Sequence, residues 1–350
     1  MIARLLVYLL FFWMITTVFS QNKTKEYSIR TIAFYNLENL FDTINDVHNN
    51  DEASPMMELK VNKSNVYWKK INNMAFVISQ IGLEKAKTSP AIIGVAEIEN
   101  YGVLEDLIKS EHLKSKNYQI IHYDSPDRRG IDVALLYQQQ YFNPINHEAF
   151  HLNIYSDNNK IYTRDQLLVS GYLDNEMIHL IVNHWPSRRG GEANSRPLRE
   201  KAALQNLKII EKIKENEQHP KVLIMGDFND DPINESFKSV LKTKTNKNNV
   251  TENDLFNPYE EMFHRGFSTL GYRDQINLFD QILFTAPLLD KGEKDFSSYK
   301  MYKAMIFNKP FLTIDKGKYK GYPFRSFSWS NFTGGYSDHY PVYIYLIKEK

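Results

Sequence analysis

The chain has 350 residues, of which 42% are hydrophobic, so it can bury a substantial core and is not a disordered polyelectrolyte. Its 43 Lys and Arg residues nearly balance its 42 Asp and Glu residues, and the net charge of +1 provides no general steering towards nucleic acid. The chain has no cysteine, which excludes a disulfide framework, a thiolate metal site and a cysteine nucleophile.

The first twenty residues have the pattern of a signal peptide. A short segment containing Arg4 precedes an uncharged apolar stretch from Leu5 to Phe19, and small Ser20 ends it. We expect cleavage after Ser20, with an uncleaved N-terminal anchor as the alternative. The predicted product begins at Gln21 and is secreted or periplasmic, and residues 22–350 are predicted to form its one domain. Loss of Arg4 leaves this mature chain with no net charge.

Polar residues follow the first two predicted strands. The apolar residues around Ile32 predict a strand, and Asn36 and Glu38 follow it at a spacing of two. A polar segment, 43–63, is typical of an exposed loop. The next predicted helix is capped by Ser64, ends at Gly82 and turns Trp68, Ile71, Ala75, Ile78 and Ile81 towards the core. The apolar residues 90–96 predict a buried strand, which ends in Glu97.

The middle of the chain leads to a basic loop. A helix is predicted over 103–113 and strands over 118–123, 131–137, 161–173 and 177–182. His184 follows, with Arg188, Arg189 and two glycines, a composition that suits anion binding because Gly admits backbone approach and Arg gives bidentate contacts. An ordinary solvated basic loop is the alternative. A long helix is predicted from Ser195 to Glu215, with Pro197 in its first turn.

The stretch Lys221–Pro232 predicts a buried strand that ends in acids. Four apolar residues precede Gly226, and continued strand geometry would place Asp227 and Asn229 on one side and Phe228 in the core. A carboxylate and an amide side by side can orient a water and hold an anionic oxygen. The alternative is an ordinary Asp/Asn-rich turn.

The last two predicted strands also carry polar residues. Residues 233–242 are predicted to be helical and 243–254 to form a loop. A strand over 278–284 contains Asp280, and no element is predicted for the aromatic segment 286–330. Asp338 and His339 precede the closing strand, 342–347. Irregular alternation of strands and helices without a linker predicts an α+β fold around one core.

The set of polar residues at strand ends, in this order, resembles the endonuclease/exonuclease/phosphatase superfamily, which includes deoxyribonuclease I. The resemblance covers the mature chain, and its most specific motifs are Gly226-Asp227-Phe228-Asn229 and Ser337-Asp338-His339. The loop after Asn183 is similar to that of predicted extracellular bacterial nucleases. The resemblance implies a four-layer α/β/β/α sandwich with two packed mixed sheets, and a site on loops at one edge.

The resemblance also implies roles. Glu97 is the main expected ligand for Mg²⁺, with Mn²⁺ as a substitute, and Glu38 and Asp338 are expected to assist it. Asp227 would deprotonate the attacking water and Asn229 would position it. His339, held by Asp280, and His184 would donate to phosphate or leaving group. Phosphate contacts are expected from Asn36, Arg188 and Arg189. In the pancreatic enzymes a second acid holds the first histidine, and Asp132 and Glu99 are candidates for it.

The favoured function is an exported, metal-dependent phosphodiesterase, an endonuclease that hydrolyses DNA or RNA. The alternative is a sphingomyelinase-like enzyme for lipid head groups or small phosphorylated metabolites, and membrane contact is expected only in that case. A third hypothesis is a binding protein that keeps the fold without the chemistry. We expect a nucleic acid substrate, no protein partner and a monomer.

Overall fold

The computed structural model describes residues 25–156, 159–272 and 274–350. The predicted signal peptide and its cleavage site lie outside these residues. Within them, no helix is both long and apolar enough to cross a membrane.

The described residues form eighteen strands and six α-helices. In chain order the strands are β1 (Tyr27–Leu40), β2 (Ile92–Ile98), β3 (Tyr118–His122), β4 (Asp132–Gln138), β5 (Phe142–Phe150), β6 (Ile154–Ser156), β7 (Asn159–Ile161), β8 (Gln166–Leu173), β9 (Glu176–His184), β10 (Val222–Asp227), β11 (Leu255–Phe256), β12 (Leu270–Tyr272), β13 (Gln275–Asn277), β14 (Asp280–Thr285), β15 (Lys300–Ile306), β16 (Phe327–Ser328), β17 (Asn331–Phe332) and β18 (Val342–Glu349). The helices are α1 (Pro55–Glu58), α2 (Lys63–Gln80), α3 (Leu83–Ala86), α4 (Tyr101–Lys109), α5 (Glu192–Lys214) and α6 (Tyr259–His264).

Two six-stranded mixed sheets form the centre of the molecule. The first has the order β15-β18-β1-β2-β4-β3 and the second β11-β14-β10-β9-β8-β5. Only β1/β2 and β9/β10 run parallel within these sheets. The sheets pack closely where Gly94 of β2 leaves room for Met225 of β10, and a side chain there would clash with its sulfur.

Successive side chains of a strand point to opposite faces of its sheet, and this alternation separates the core between the sheets from the core under the outer helices. On β9, Leu180 and Val182 join the core between the two sheets, whereas Ile181 packs with α5 in a second core on the outer face. Helix α2 covers the first sheet through residues such as Ile71. The result confirms the predicted α+β, four-layer α/β/β/α sandwich.

The strand register gathers the polar strand ends at one edge of the sandwich. Asp227 pairs with His184 on the parallel strand β9 and with Asp280 on the antiparallel strand β14. In the first sheet, Asn36 pairs with Ala96, next to Glu97. Because parallel strands end at the same edge, their polar ends come together there.

Both central strands of the first sheet are irregular at this edge. The β1/β2 register shifts between Asn36 and Leu40. Glu38, Asn39 and Glu97 have φ values of 47°, 50° and 60°, in the left-handed region that non-glycine residues seldom adopt. Such bulges re-aim side chains next to functional sites, and they end the simple alternation on which the sequence prediction relied.

Three local predictions are corrected. Helix α2 begins at Lys63 without a side-chain cap, so Ser64 lies inside it. Trp68 is 52% exposed and lies outside the buried face of that helix. Helix α5 begins at Glu192 because the Ser195 hydroxyl donates to the Gly191 carbonyl within an extra turn. Pro197 therefore lies in the second turn.

The aromatic segment without a predicted element contributes β15 to the first sheet and then a loop that returns to the site edge. A small hairpin, β16–β17, ends this loop before Asp338 and His339. Lys70 of α2 is fully buried beneath it and donates to the Ser326 hydroxyl and to the Glu38 carbonyl, at 2.7 and 2.6 Å. This buried lysine anchors the loop to the first sheet.

Candidate active site

Asp227, the last residue of β10, lies at the centre of the gathered polar residues. Its Oδ2 accepts a hydrogen bond from Asn36 Nδ2 at 3.1 Å, and its Oδ1 accepts one from the Asn229 N–H at 3.0 Å. The side chain is almost fully buried, and burial raises the pKa of Asp227 to about 7 although the positive charge of His339 opposes this. The carboxyl can therefore hold or release a proton near neutral pH.

His339 and Asp280 form a buried pair beside Asp227. His339 Nδ1 is 2.7 Å from Asp280 Oδ2, and its Nε2 is 3.9 Å from Asp227 Oδ2. Burial alone would lower the pKa of His339, but the carboxylates of Asp280 and Asp227 raise it well above its usual value. The Ser337 hydroxyl accepts from the His339 N–H and donates to the Asn36 carbonyl, which fixes this loop to β1. His339 is thus oriented as an imidazolium.

His184 flanks Asp227 on the other side. Its Nε2 is 3.6 Å from Asp227 Oδ2 and 3.9 Å from Glu97 Oε1. Its Nδ1 is buried and has no hydrogen-bond partner among the described residues, so neither Asp132 nor Glu99 holds it. Burial, followed by the charges of Arg164 and Arg129, lowers the pKa of His184 well below its usual value. This ring is neutral.

Glu97 and Asp338 offer carboxylates with access to solvent. The Glu97 side chain is 17% exposed, and its Oε2 accepts from the Asn39 N–H at 3.0 Å. The Asp338 side chain is 34% exposed, and its Oδ2 is 3.3 Å from Arg325 Nη2. Both side chains retain carboxylate oxygens that can coordinate a cation.

Glu38 points into the protein rather than towards solvent. Its two oxygens accept hydrogen bonds from Arg325 Nε at 3.2 Å and from the Ser326 N–H at 2.6 Å, and a longer one of 3.4 Å from the Phe327 N–H. Burial, followed by the Asp338 charge, raises the pKa of Glu38 to about 7. Glu38 therefore ties the bulge of β1 to the loop that carries Asp338 and His339.

The two arginines predicted to bind phosphate lie in different surroundings. The Arg188 guanidinium stacks 4.5 Å from the Phe279 ring, and its nitrogens donate to the Asn229 carbonyl and to the side chains of Asp230, Asp231 and Asn234. Arg188 thus holds the turn after β10 in shape. Arg189 is exposed at the surface of the same loop.

Arg164 is a site residue that the sequence reasoning did not identify. It is buried, with Nη1 3.0 Å from Asp127 Oδ2 and Nη2 2.6 Å from the Trp185 carbonyl, which also accepts from Asn229 Nδ2. A signal was present in the sequence, since Arg164 and Asp165 are followed, after Gln166, by an apolar run. The other site residues stand at the ends of strands, whereas this charged pair stands just before the start of strand β8.

The donor chemistry of the site fits a divalent cation. Glu97, Asp227 and Asp338 supply carboxylate oxygens, the ligands that Mg²⁺ and Mn²⁺ prefer. Glu97 raises the pKa of Asp227, as Asp338 raises that of Glu38, so negative charge is crowded here and a cation would relieve it. Asp227, Asp280 and His339 also lie close enough to share an ion. Two surface cavities, of about 500 and 640 Å³, lie elsewhere around Lys242 and His264.

This combination of a four-layer sandwich with acids, amides and histidines at one edge defines a class of phosphate-ester hydrolases. The sequence profile of the Endonuclease/Exonuclease/phosphatase family matches residues 31–348, and the chain belongs to that family. Members of this family are hydrolases that act on phosphate esters and depend on divalent metal ions. No curated protein sequence matches the chain significantly.

Solved structures show the same fold at low sequence identity. Truncated TDP2 of Caenorhabditis elegans is 15% identical, with a TM-score of 0.54 over 91% of this chain and 97% of that one. A family protein from Bacteroides thetaiotaomicron is 15% identical, with a TM-score of 0.53 over 93% and 97%. A mannosyl-6-phosphatase from the same species is 17% identical, with a TM-score of 0.52 over 91% and 99%.

Proposed function

We propose that this protein is an exported, metal-dependent phosphodiesterase that hydrolyses DNA or RNA. The observation that carries the proposal is the placement of the Asp227 carboxylate between two histidines, of which His339 is paired with Asp280 and His184 is not paired with an acid through Nδ1. Phosphodiester hydrolysis needs a base for water and a donor for the phosphate oxygen at one point. His339 and Asp227 supply those two functions within 3.9 Å of each other.

The residues act as follows. Asp227 accepts the proton of the attacking water, and Asn36 and Asn229 fix its carboxylate through their hydrogen bonds. His339 donates to the phosphate oxygen on which charge develops, and Asp280 keeps the ring oriented and protonated. His184, whose ring is neutral, hydrogen-bonds the phosphate or leaving group through Nε2.

The implied cation would be held by Glu97 and Asp338. When bound, Mg²⁺ or Mn²⁺ supplies Lewis-acid stabilisation of negative phosphate oxygens. Glu38 positions rather than binds the ion in this proposal, because its oxygens already accept hydrogen bonds from Arg325, Ser326 and Phe327. Asn36 donates a hydrogen bond to Asp227 and likewise positions that carboxylate rather than binding the ion.

A polyanionic substrate is favoured by a basic rim on a chain whose mature net charge is zero. Arg129, whose side chain is 47% exposed, is close enough to lower the pKa of His184, and exposed Arg189 lies in the loop that follows His184 in the chain. Arg128 stacks 5.0 Å from the Tyr162 ring. TDP2 of D. rerio, which is 12% identical and has a TM-score of 0.52 over 91% of this chain and 99% of that one, was solved with a single-stranded DNA product.

A phosphatase for small phosphorylated metabolites is the second candidate. The observation in its favour is the fold shared with the mannosyl-6-phosphatase, although 17% identity transfers no substrate. Sphingomyelinase-like action on lipid head groups, with membrane contact, is a further alternative that a sphingomyelin assay tests. We further propose export through a cleaved signal peptide and a monomeric enzyme.

The test uses residues 21–350 and the variants His339→Ala and Asp227→Asn, with His219→Ala as a matched control, because His219 is an exposed histidine paired with Glu252. Each protein is incubated with supercoiled plasmid, single-stranded RNA, bis-(p-nitrophenyl) phosphate, mannose 6-phosphate and sphingomyelin, in Mg²⁺ and in EDTA. We expect Mg²⁺-dependent nicking that only the two site variants lose. Turnover of the phosphomonoester or of sphingomyelin without nicking would replace the nuclease proposal. Mass spectrometry of exported full-length protein tests cleavage after Ser20.

A further inference from the structure

Arg325, just before the β16–β17 hairpin, brings a guanidinium to the edge of the active site. Its Nε is 3.2 Å from Glu38 Oε1 and its Nη2 is 3.3 Å from Asp338 Oδ2. Burial opposes the charge of this side chain, but the carboxylates of Asp338, Glu38 and Glu97 outweigh that effect and raise the pKa of Arg325. Arg325 is therefore a permanent cation beside Asp338 and Glu97, which are expected to hold the metal ion.

The protein uses only part of the hydrogen-bonding capacity of this guanidinium. Its Nε donates to Glu38 and its Nη2 to Asp338, whereas Nη1 makes no hydrogen bond with any residue that the structure describes. The Arg325 side chain is 48% exposed, so a ligand can reach it from solvent. The edge formed by Nη1 and Nη2 can donate to two oxygens of one phosphate group, which is the geometry in which arginine binds phosphate most strongly.

An ion pair that only holds the loop is the alternative explanation for Arg325, and the contacts of Glu38 argue against it. The Ser326 N–H donates to Glu38 Oε2 at 2.6 Å without help from Arg325. Burial raises the pKa of Glu38, and the charge of buried Lys70 opposes this more strongly than the charge of Arg325 does. Lys70 also donates to the Ser326 hydroxyl at 2.7 Å. Glu38 and the loop are thus stabilised from inside, and the half-exposed guanidinium remains available to a ligand.

Arg188 shows how an arginine is arranged when the protein uses all of it. Its side chain is 24% exposed and lies over the Phe279 ring, and it donates to the Asn229 carbonyl and to acceptors of the following turn. Arg325 is more exposed and retains a nitrogen without an acceptor. Of these two arginines, Arg325 is the one that can bind phosphate without giving up the contacts that shape the site.

The main chain at Arg325 is fixed before any ligand binds. Its carbonyl accepts a hydrogen bond from the Thr333 hydroxyl, and Gly335 passes so close that a Cβ there would lie 2.2 Å from this carbonyl oxygen. Asn73 of α2 donates to the Gly335 carbonyl at 2.7 Å and holds the returning chain in place. A donor on a main chain that is already ordered loses less conformational freedom on binding, which favours affinity.

We propose that Arg325 binds the phosphate group of the substrate through its Nη1 and Nη2 nitrogens. It would thereby perform the role that the sequence predicted for Arg188. This inference rests on the proposed function only to the extent that the substrate is a phosphate ester, because phosphodiesters and phosphomonoesters both offer non-bridging oxygens to this edge of the guanidinium.

The test measures the affinity of residues 21–350 for inorganic phosphate in Mg²⁺ by titration calorimetry. We expect Arg325→Ala to bind phosphate at least about tenfold more weakly than the parent, because hydrogen bonds from a charged donor are lost. Arg325→Lys keeps the charge without the planar pair of donors and should bind it several-fold more weakly. Mn²⁺ affinity without phosphate should remain within about twofold in both variants, since Glu97 and Asp338 are intact.

The matched control is Arg196→Ala. Arg196 is another half-exposed arginine in an ion pair, 42% exposed and 2.9 Å from Glu192, but its partner lies on the same helix, α5. This variant should bind phosphate like the parent. Circular dichroism checks folding, and if Arg325→Ala does not fold, Arg325→Lys decides by the same measurements.

Two results would overturn the proposal. The first is phosphate affinity that is unchanged in the Arg325 variants or absent in the parent. The second is loss of Mn²⁺ together with phosphate, which would show that Arg325 only arranges the carboxylates. Phosphate binding is measured without turnover, so its outcome does not depend on the plasmid assay. If the parent hydrolyses only phosphomonoesters, the nuclease proposal fails while the phosphate affinity still decides the role of Arg325.

Discussion

The regions around His184 and His339 present the same side chain to the same carboxylate in opposite electrostatic settings. Both rings are buried, at 5% and 7% exposure, and both have Nε2 within 4 Å of Asp227 Oδ2. Burial lowers the pKa of each. Asp280 reverses that effect at His339, whereas Arg164 strengthens it at His184. The neighbouring charge, rather than burial, therefore decides which ring carries a proton.

This asymmetry arises from the strands that flank β10. On one side β14 begins with an acid, Asp280, which reaches the His339 ring. On the other side β9 delivers His184 against Arg164, whose own charge is balanced by Asp127. The Asp227 carboxylate thus lies between His339, whose pKa is raised, and His184, whose pKa is lowered. Neighbouring groups whose pKa values diverge in this way commonly serve as the acid and the base of a reaction.

The largest expected effect follows from removing the charge that sustains His339. Asp280→Asn keeps the side-chain shape but removes the carboxylate, so the pKa of His339 should fall and its protonated fraction at pH 7 should drop. We expect kcat on the cleaved substrate to fall by about 10³-fold, with a much smaller change in KM. Steady-state kinetics of Asp280→Asn and of the distant control Asp254→Asn measure this. Loss of less than about threefold would show that Asp280 has only a structural role.

Sequence reasoning identified the edge of the site because its logic is local. Asn36, Glu97, His184 and Asp227 each end an apolar strand, and strand ends meet wherever strands run parallel. It failed where the chain departs from alternation or where the partner is distant in sequence. The left-handed residues after Asn36 send Glu38 to Arg325, a contact across 287 positions that no local pattern shows. Similarly, only the folded turn after β10 shows that Arg188 donates its hydrogen bonds to residues of that turn.

The second prediction tests the His184 region. Arg164→Met would remove the buried guanidinium partner of Asp127 and leave only Arg129, so the loss should approach but not exceed the about 3–5 kcal/mol typical of breaking a buried pair. We expect a lower midpoint of urea unfolding and, in the metal-free protein, a higher pKa of His184 by histidine NMR. The double variant Arg164→Met/Asp127→Asn removes the carboxylate that Arg164 no longer balances and should recover part of the stability. An unchanged pKa of His184 would show that Arg164 does not keep this ring neutral.

A third comparison separates two neighbouring arginines. Arg188→Ala removes the donor that ties Asn229 and the two buried acids Asp230 and Asp231 together, so stability should fall by about 2 kcal/mol. Arg189→Ala changes an exposed residue and should alter stability by no more than about 0.5 kcal/mol. If Arg189 contacts phosphate, its loss should instead raise KM for DNA and reduce the salt dependence of cleavage. Urea unfolding and kinetics at two salt concentrations distinguish these outcomes.

The smallest expected effect concerns Asp227, the carboxylate that the two histidine regions share. Its folded pKa of about 7 lies above that of an unfolded Asp, so the folded state binds more protons and stability falls as pH rises through 7. Between pH 6 and 8 this one group should destabilise the metal-free protein by about 1 kcal/mol. His339 does not offset the change, because a raised histidine pKa also stabilises the folded state less as pH rises above the ordinary histidine value.

The measurement is urea unfolding in EDTA at pH 6 and 8, for the parent and for Asp227→Asn. Glu38, whose pKa is also raised to about 7, and His339 add changes of the same sign, so the variant should lose the share that Asp227 contributes and keep the rest of the slope. Adding Mg²⁺ at pH 8 should stabilise both proteins, because Glu97 and Asp338, which would hold the ion, are present in both. Equal slopes in both proteins would place the titrating group elsewhere and remove Asp227 as the base shared by the two histidine regions.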